Sequence, residues 1–237
     1  MFAEDLELVD LPLGEKDVEV SLLDVTRLGD PDSTASRFMT APEREEYLRL
    51  RHPLRRREWL GARVCLKTML LRSRCVSDPI QCEITKDESG RPWVSFAPAL
   101  APGLAFDCSL SHKGRFACAC ASRLPDTRVG VDIEEISPRL LRVSKAFAGD
   151  CQSLVRSRPP EERLALLWAI KEACAKAVGT GLGMALSSVV CEETIEGQHQ
   201  IRTSGGLELR AHHLLHDGYV IALCLLTEDA ARPRKGR

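Results

Sequence analysis

The chain has 237 residues, with 33 Lys+Arg against 34 Asp+Glu, 44% hydrophobic and only 5% aromatic residues, enough for one large domain or two small ones. This composition argues against disorder, collagen and coiled coil, and a formal net charge of −1 gives no global field to draw the chain onto nucleic acid or an anionic membrane. The start, MFAEDLELVD, lacks the regions of a secretory leader and no apolar run reaches membrane-spanning length, so the ten cysteines, with no C-x-x-C pair, read as small buried hydrophobes in a reducing cytoplasm.

The first strong strand signal is Val18–Val25, followed by a polar loop and a helical stretch that opens near Ala41-Pro42-Glu43-Arg44 and restarts after Pro53. From Leu54 to about Leu71, Trp59, Leu60, Val64, Leu66 and Leu70 form a broad apolar stripe, and Arg55, Arg56, Arg57, Arg63 and Lys67 fill the rest. Strands are expected at Ile80–Thr85, Arg91–Phe96, Leu104–Leu110 and Phe116–Ser122. A second cycle begins with the strand Arg128–Glu134, continues in a helix from about Glu161 to Val178 and meets a glycine-rich stop at Gly179–Gly183. Strands near Leu186–Cys191, His199–Arg202, Leu207–Leu214 and Tyr219–Leu226 complete it.

Both halves thus read as strand, helix and several antiparallel strands, and each ends in a His, Gly and aromatic turn: His112 to Phe116, and His216 to Tyr219. The expected fold is α+β, a pseudo-twofold duplication of two similar subdomains, each with an antiparallel-rich sheet packed on a long helix. The expected boundaries are 1–124 and 125–228, with a disordered basic tail at 229–237.

Asp132 and Glu134 stand two apart on a strand and project from one face. Two carboxylates so close repel, and a hard, oxygen-preferring divalent ion such as Mg²⁺ relieves the repulsion. On the second helix Trp168, Glu172 and Lys176 lie at i, i+4 and i+8; a tryptophan on that stripe is expected to be buried and to turn the acid and the base towards a cleft.

The stretch Gly130-Val131-Asp132-Ile133-Glu134, followed by Trp168-Ala169-Ile170-Lys171-Glu172-Ala173-Cys174-Ala175-Lys176, resembles the two signatures of the 4′-phosphopantetheinyl transferase superfamily. Gly90-Arg91-Pro92, Ser109-Leu110-Ser111-His112 with Gly114-Arg115, Pro42-Glu43-Arg44 and Trp59-Leu60-Gly61-Ala62 resemble its long, single-chain, surfactin-synthetase-activating type. The resemblance implies transfer of the phosphopantetheine arm of coenzyme A to a serine of an apo acyl or peptidyl carrier protein, with release of adenosine 3′,5′-bisphosphate, by a monomer whose two halves mimic a dimer. It implies Asp132, Glu134 and Glu172 as ligands of Mg²⁺, with Mn²⁺ as the alternative. Glu172 or a metal-bound water would take the serine proton, and Lys176 would face the pyrophosphate. Arg44, Arg57, Arg91, Ser111, His112 and Lys176 stand at the coenzyme A positions. The segment with Arg139, Arg142 and Lys145 at helical spacing would receive the acidic carrier.

Four departures from the family pattern concern coenzyme A rather than the metal. Lys113 replaces a serine; Tyr47 stands where the first helix of the long type often has a second basic residue; Glu58 stands near where the 3′-phosphate would lie, leaving that group to Arg57, Lys113 and His112; and Phe147–Cys151 lacks an expected acid, with Asp150 one position early. Two other functions compete: a non-catalytic coenzyme A or carrier-protein binding homologue, and a Mg²⁺-dependent nuclease, against which stand the helical Glu172 and Lys176 and the absence of excess basic charge.

Overall fold

The computed structural model describes residues 6–13, 15–97, 106–147, 158–180, 188–195 and 197–227. The expected tail 229–237, the glycines at 181 and 183, and Asp150 and Cys151 lie outside the described residues. Two antiparallel sheets make the body. The first has the order β1 (Leu8–Asp10), β2 (Val18–Asp24), β6 (Phe116–Ser122), β5 (Asp107–Lys113), and the hairpin β3 (Cys82–Lys86) with β4 (Pro92–Phe96) stands apart from it. The second has the order β7 (Thr127–Glu135), β11 (Tyr219–Thr227), β10 (Glu208–His216), β9 (Gln198–Thr203), β8 (Val189–Ile195). Helices α1 (Pro31–Phe38), α2 (Ala41–Arg49) and α3 (Pro53–Arg72) precede the β3–β4 hairpin, and α4 (Pro160–Val178) follows β7.

Strand alternation builds the layers. On β6, Ala117, Ala119 and Ala121 face α3, while Phe116, Cys118 and Cys120 face the second sheet. On β7, Val129, Val131 and Ile133 join that inter-sheet core, which leaves Gly130, Asp132 and Glu134 on the side of α4. On β11, Val220, Ala222 and Cys224 pack under α4, and Ile221, Leu223 and Leu225 point to the first sheet. The order of layers is therefore α3, first sheet, second sheet, α4.

Sequence and structure differ in several places. The polar loop after β2 contains α1, begun by Asp30 accepting from the Ser33 N–H (2.8 Å) with Pro31 in the first turn; its buried face is Thr34, Ala35 and Phe38, too short and polar for a periodic signal. Ile80 sits in a 3-10 turn rather than a strand and is exposed. The segment Pro138–Phe147 is 3-10 rather than α-helical; three residues per turn keep Arg139 and Arg142, both exposed, in one row, and the Lys145 side chain lies outside the described residues. α3 is not amphipathic over its second half. From Trp59 to Leu70 every residue is buried, Arg63 and Lys67 included. Lys67 Nζ meets Glu43 Oε2 (2.6 Å) and donates to the carbonyls of Phe38 (2.9 Å) and Cys82 (2.7 Å), so it pins α3 to α2 and β3 rather than facing water.

All nine described cysteines are free thiols and eight are buried, as their reading as small hydrophobes requires. No helix among the described residues is long and apolar enough to cross a membrane.

Candidate active site

The site forms where β5 and β7, edge strands of different sheets, run side by side. These edges are not joined by a backbone ladder; alternate β5 side chains supply the partners instead. Asp107 Oδ2 accepts from the Val129 N–H (2.6 Å) and Ser109 Oγ from the Val131 N–H (3.1 Å), and Ser111 Oγ donates to Asp132 Oδ1 (2.7 Å). The three polar side chains hold the register of β7 against the first half and satisfy N–H groups that a buried edge would otherwise leave unpaired.

α4 lies almost in contact with the β7 backbone because residue 130 is glycine. A Cβ there would stand 2.0 Å from the Ala173 carbonyl oxygen and 2.6 Å from the Ala177 nitrogen. That approach lets Lys176 Nζ reach Asp132 Oδ1 at 2.7 Å while donating to the carbonyls of Val131 (2.9 Å) and Leu110 (3.3 Å). Arg91 ties the same end of α4 down: its guanidinium bonds Asp107, the Lys176 carbonyl and the Val129 carbonyl.

Asp132 and Glu134 are buried on one face of β7, as their spacing predicts, and each meets a lysine from another element: Lys176 for Asp132, and Lys113 for Glu134 (Nζ to Oε2, 2.6 Å). Burial is the main cause raising the Glu134 carboxyl above its ordinary range, with the Asp132 charge adding to it and Lys113 opposing. Glu172 is also raised, by burial and then by Asp132, against the pull of Lys176. Asp132 Oδ2 is buried with no hydrogen-bond partner. That orphaned oxygen, beside two acids whose charged forms are disfavoured, is a donor set that a hard divalent ion would satisfy. The oxygens of the three acids are not gathered within 4.8 Å of one another, so such an ion would hold part of this set and complete its shell from water or a ligand.

Beside the acids opens a cavity of about 560 Å³, walled by cations and by no acidic residue; Arg55, Arg63, Lys86, Arg91, Lys176 and His112 all line it. Arg63 lies over the Trp59 ring (3.5 Å to its centroid) and Arg91 is held by Asp107, whereas Arg55 and Lys86 have no ion-pair partner among the described residues. Burial is the main cause lowering the His112 pKa, against Glu58, whose Oε2 lies 3.5 Å from Nδ1; Lys176 and Arg55 also lower it.

Of the residues singled out in the sequence, Arg91, Ser111, His112 and Lys176 line this cavity, Asp132 borders it through Lys176, and Glu134 and Glu172 stand behind Asp132 within the field of the same ammonium. Arg44, which is exposed, and Arg57 do not line it. On α3 the cavity face is Arg55, Trp59, Ala62 and Arg63, at helical spacing, and Arg57 is two residues off that face. Glu58 does not stand open to a phosphate: it accepts from the Gly114 N–H (2.8 Å) beside His112, and Lys113 is engaged by Glu134. Trp168 is partly rather than fully buried and packs against the core under α4. Arg55 and Lys86 escaped the sequence reading. The signal for Arg55 was its i, i+4 spacing to Trp59; Lys86 has no local signal.

The family model of the 4′-phosphopantetheinyl transferase superfamily matches residues 128–224, from β7 through β11. The chain is 34% identical over 119 residues to the 4′-phosphopantetheinyl transferase psf-1 of Bacillus pumilus, covering 48% of this chain and 47% of that protein. It is 28% identical over 189 residues to a phosphopantetheinyl transferase of Thraustochytrium, covering 71% of this chain and 63% of that one. The matches thus span about half to two thirds of these relatives' own length. Among solved structures, a holo-(acyl-carrier-protein) synthase from Bacillus anthracis in complex with CoA (3′,5′-ADP) aligns with a TM-score of 0.39 and 20% identity, over 44% of this chain and 92% of that one.

Proposed function

On the premise that residues 128–224 are those of a 4′-phosphopantetheinyl transferase superfamily protein, we propose that this chain transfers the phosphopantetheine arm of coenzyme A to a serine of an apo acyl or peptidyl carrier protein, releasing adenosine 3′,5′-bisphosphate. The observation that carries the reading is the cavity lined by cations and by no acid, with Lys176 both on its wall and in contact with Asp132 of the carboxylate group. A polyphosphate in that cavity would meet Arg55, Lys86 and Lys176, and charge would be neutralised on both sides of a phosphoanhydride bond.

Asp132, Glu134 and Glu172 would hold Mg²⁺ or Mn²⁺, which when bound supplies a Lewis acid for phosphate oxygens. The chain's own residues do the rest. Ser111 and Lys176 hold Asp132 in place from two elements. Lys176 would stabilise the leaving phosphate, and the serine proton would go to Glu172, whose raised pKa makes its carboxylate a better base, directly or through a water. Arg139 and Arg142, exposed in one row, suit an acidic carrier.

We also read residues 1–124 and 125–228 as duplicated halves. Each offers an antiparallel sheet with its long helix on one face, and the two His-Gly-aromatic turns meet, with the Phe116 and Tyr219 rings 5.0 Å apart. Because the apolar faces of the sheets cover each other within one chain, a monomer needs no second copy, and the buried thiols suit a reducing cytoplasm.

The test is intact-mass detection of the arm on apo carrier proteins incubated with the full chain, coenzyme A and Mg²⁺. Transfer is expected, and Glu172→Gln should lower it at least about 100-fold with the fold intact. No transfer to any of several acyl and peptidyl carriers would leave a coenzyme A binding protein instead.

A further inference from the structure

Outside this site, one cluster of side chains has metal-ligand chemistry and no assigned role. The inner face of the second sheet is apolar along most of each outer strand: Val189 and Cys191 on β8, Ile201 on β9, Leu209 and Ala211 on β10. At one end that face changes character on all three strands at once, to Glu193, His199 and His213. Glu193 pairs with His199 in the register, and the His213 N–H donates to the Gly197 carbonyl (2.8 Å) at the β8–β9 turn. The ligand atoms of the three side chains lie within 4.8 Å of one another, and among the described residues they form the only such group of three.

We propose that Glu193, His199 and His213 form a second metal site, one for a borderline divalent ion of the zinc class. Two imidazoles and one carboxylate are a zinc donor set, and they leave a fourth position for water. Glu193 Oε2 is buried and has no hydrogen-bond partner, although its side chain is only 4% exposed, while Oε1 is engaged by Arg158 (3.3 Å) and the Gly197 N–H (3.2 Å). The free oxygen is thus the one available to an ion, and its neighbour already has the outer partners that orient a ligating carboxylate. His199 presents Nε2 to the cluster, and its Nδ1 faces Cys191 Sγ at 3.7 Å, a contact that orients the ring. Burial is the main cause depressing both histidines, His199 to about 3 and His213 to about 4, so both are the neutral imidazoles a metal requires.

Charge agrees. Among the described residues Glu193 and Glu162 outnumber Arg158, which bonds both. Without metal, His199 Nε2 and His213 Nδ1 share a proton across 2.7 Å. Two nitrogens about 2.0–2.1 Å from a tetrahedral ion stand about 3.4 Å apart, so loading must part the rings by about 0.7 Å and move the shared proton to the far nitrogen of the ring that carries it. Glu162, tied to Glu193 through Arg158, is ten residues from Glu172 on α4, about 15 Å along its axis, which separates this site from the carboxylates and gives it a structural rather than a catalytic part.

The experiment uses the full chain, stripped with a chelator and titrated with Co²⁺ and then Zn²⁺. Expected are an intense visible band of tetrahedral Co²⁺ at one equivalent, its bleaching by Zn²⁺, and survival of the band in Glu172→Gln, because the oxygen donors at Asp132 do not favour tetrahedral cobalt. His199→Gln and Glu193→Gln should each weaken binding by about 100-fold or more. Because either variant could unfold, the wild type is also read by ¹⁵N correlation of its 6 histidines: Zn²⁺ should shift His199 Nε2 and His213 Nδ1. No cobalt band and no histidine shift in the folded wild type would overturn the proposal, as would a band that Glu172→Gln removes and His199→Gln keeps.

Discussion

Gly130→Ala tests whether the close approach of α4 to β7 is what assembles the acids with Lys176. The new Cβ would stand 2.0 Å from the Ala173 carbonyl oxygen, short of ordinary contact by about 1.4 Å, and 2.6 Å from the Ala177 nitrogen. Both obstacles are backbone of the helix, so no rotamer change relieves them and α4 must lift by about 1 Å or more. Overpacking of this kind costs about 1–3 kcal/mol. The lift also lengthens the 2.7 Å contact of Lys176 with Asp132, a charge-assisted bond of about 1.5–3 kcal/mol. Together these predict a loss of about 2.5–6 kcal/mol, and at about 2–4 °C per kcal/mol a fall in Tm of about 5–24 °C. Thermal unfolding by circular dichroism measures the shift, and arm transfer measured on the still-folded variant should fall with it. Gly205→Ala is the control: its nearest neighbour is Thr203 Oγ1 at 3.7 Å, and its Tm should not move. If Gly130→Ala kept its Tm within about 2 °C, the close approach would not be what sets this site.

Three further outcomes follow from the same contacts. Lys67→Met takes the close ammonium partner from buried Glu43, leaving it Arg63 Nε at 4.0 Å and the Thr40 and Ile84 N–H groups, and should cost about 3–5 kcal/mol in urea unfolding, with part regained in Lys67→Met/Glu43→Gln; equal stability of single and double variants would refute the pairing. Ser111→Ala removes one of two partners of Asp132 Oδ1, about 1 kcal/mol, and should lower kcat/KM for transfer about fivefold with little change in Tm. In a Cys151→Ser background a disulfide reagent should modify Cys75 alone before denaturation, at pH 9 as at pH 7, because burial pushes Cys82 up to about 11 and Cys108 up to about 12. The unfolded chain gives up these thiol protons first, so stability should fall as pH rises above about 9, by about 1.4 kcal/mol per pH unit for each such thiol; an alkaline limb that is flat to pH 11 would refute their burial.

What could be read from the sequence was whatever depends on neighbours along the chain. Alternation on β7 puts Asp132 and Glu134 on one face, and the run from Glu161 to Val178 makes the helix that presents Glu172 and Lys176. What could not be read depends on which distant element arrives opposite. Lys67 looked like the polar side of an amphipathic helix because nothing near it in sequence shows that Glu43 and three carbonyls converge on its ammonium. Arg57 and Arg55 are chemically equal; the i, i+4 spacing to Trp59 puts Arg55 on one face of α3, but that this face lines a cavity depends on the β3–β4 hairpin, which brings Lys86 and Arg91 opposite. Lys113 appeared available to a phosphate, yet β7 brings Glu134 to it.

The same placement explains how a chain of net charge −1 can offer a site for anions. The cations come to the cavity from α3, β3, the turn before β4 and α4, while the acids lie together on β7 and α4 behind Asp107, Ser109 and Ser111 of β5. Lys176 belongs to both sets, since it lines the cavity and touches Asp132. A shift of α4 along its axis by one turn, about 5.4 Å, would take this ammonium out of both at once. The glycine at 130 and the Arg91 clamp on the last turn of α4 are therefore part of the site's chemistry, although neither needs to touch a reacting atom.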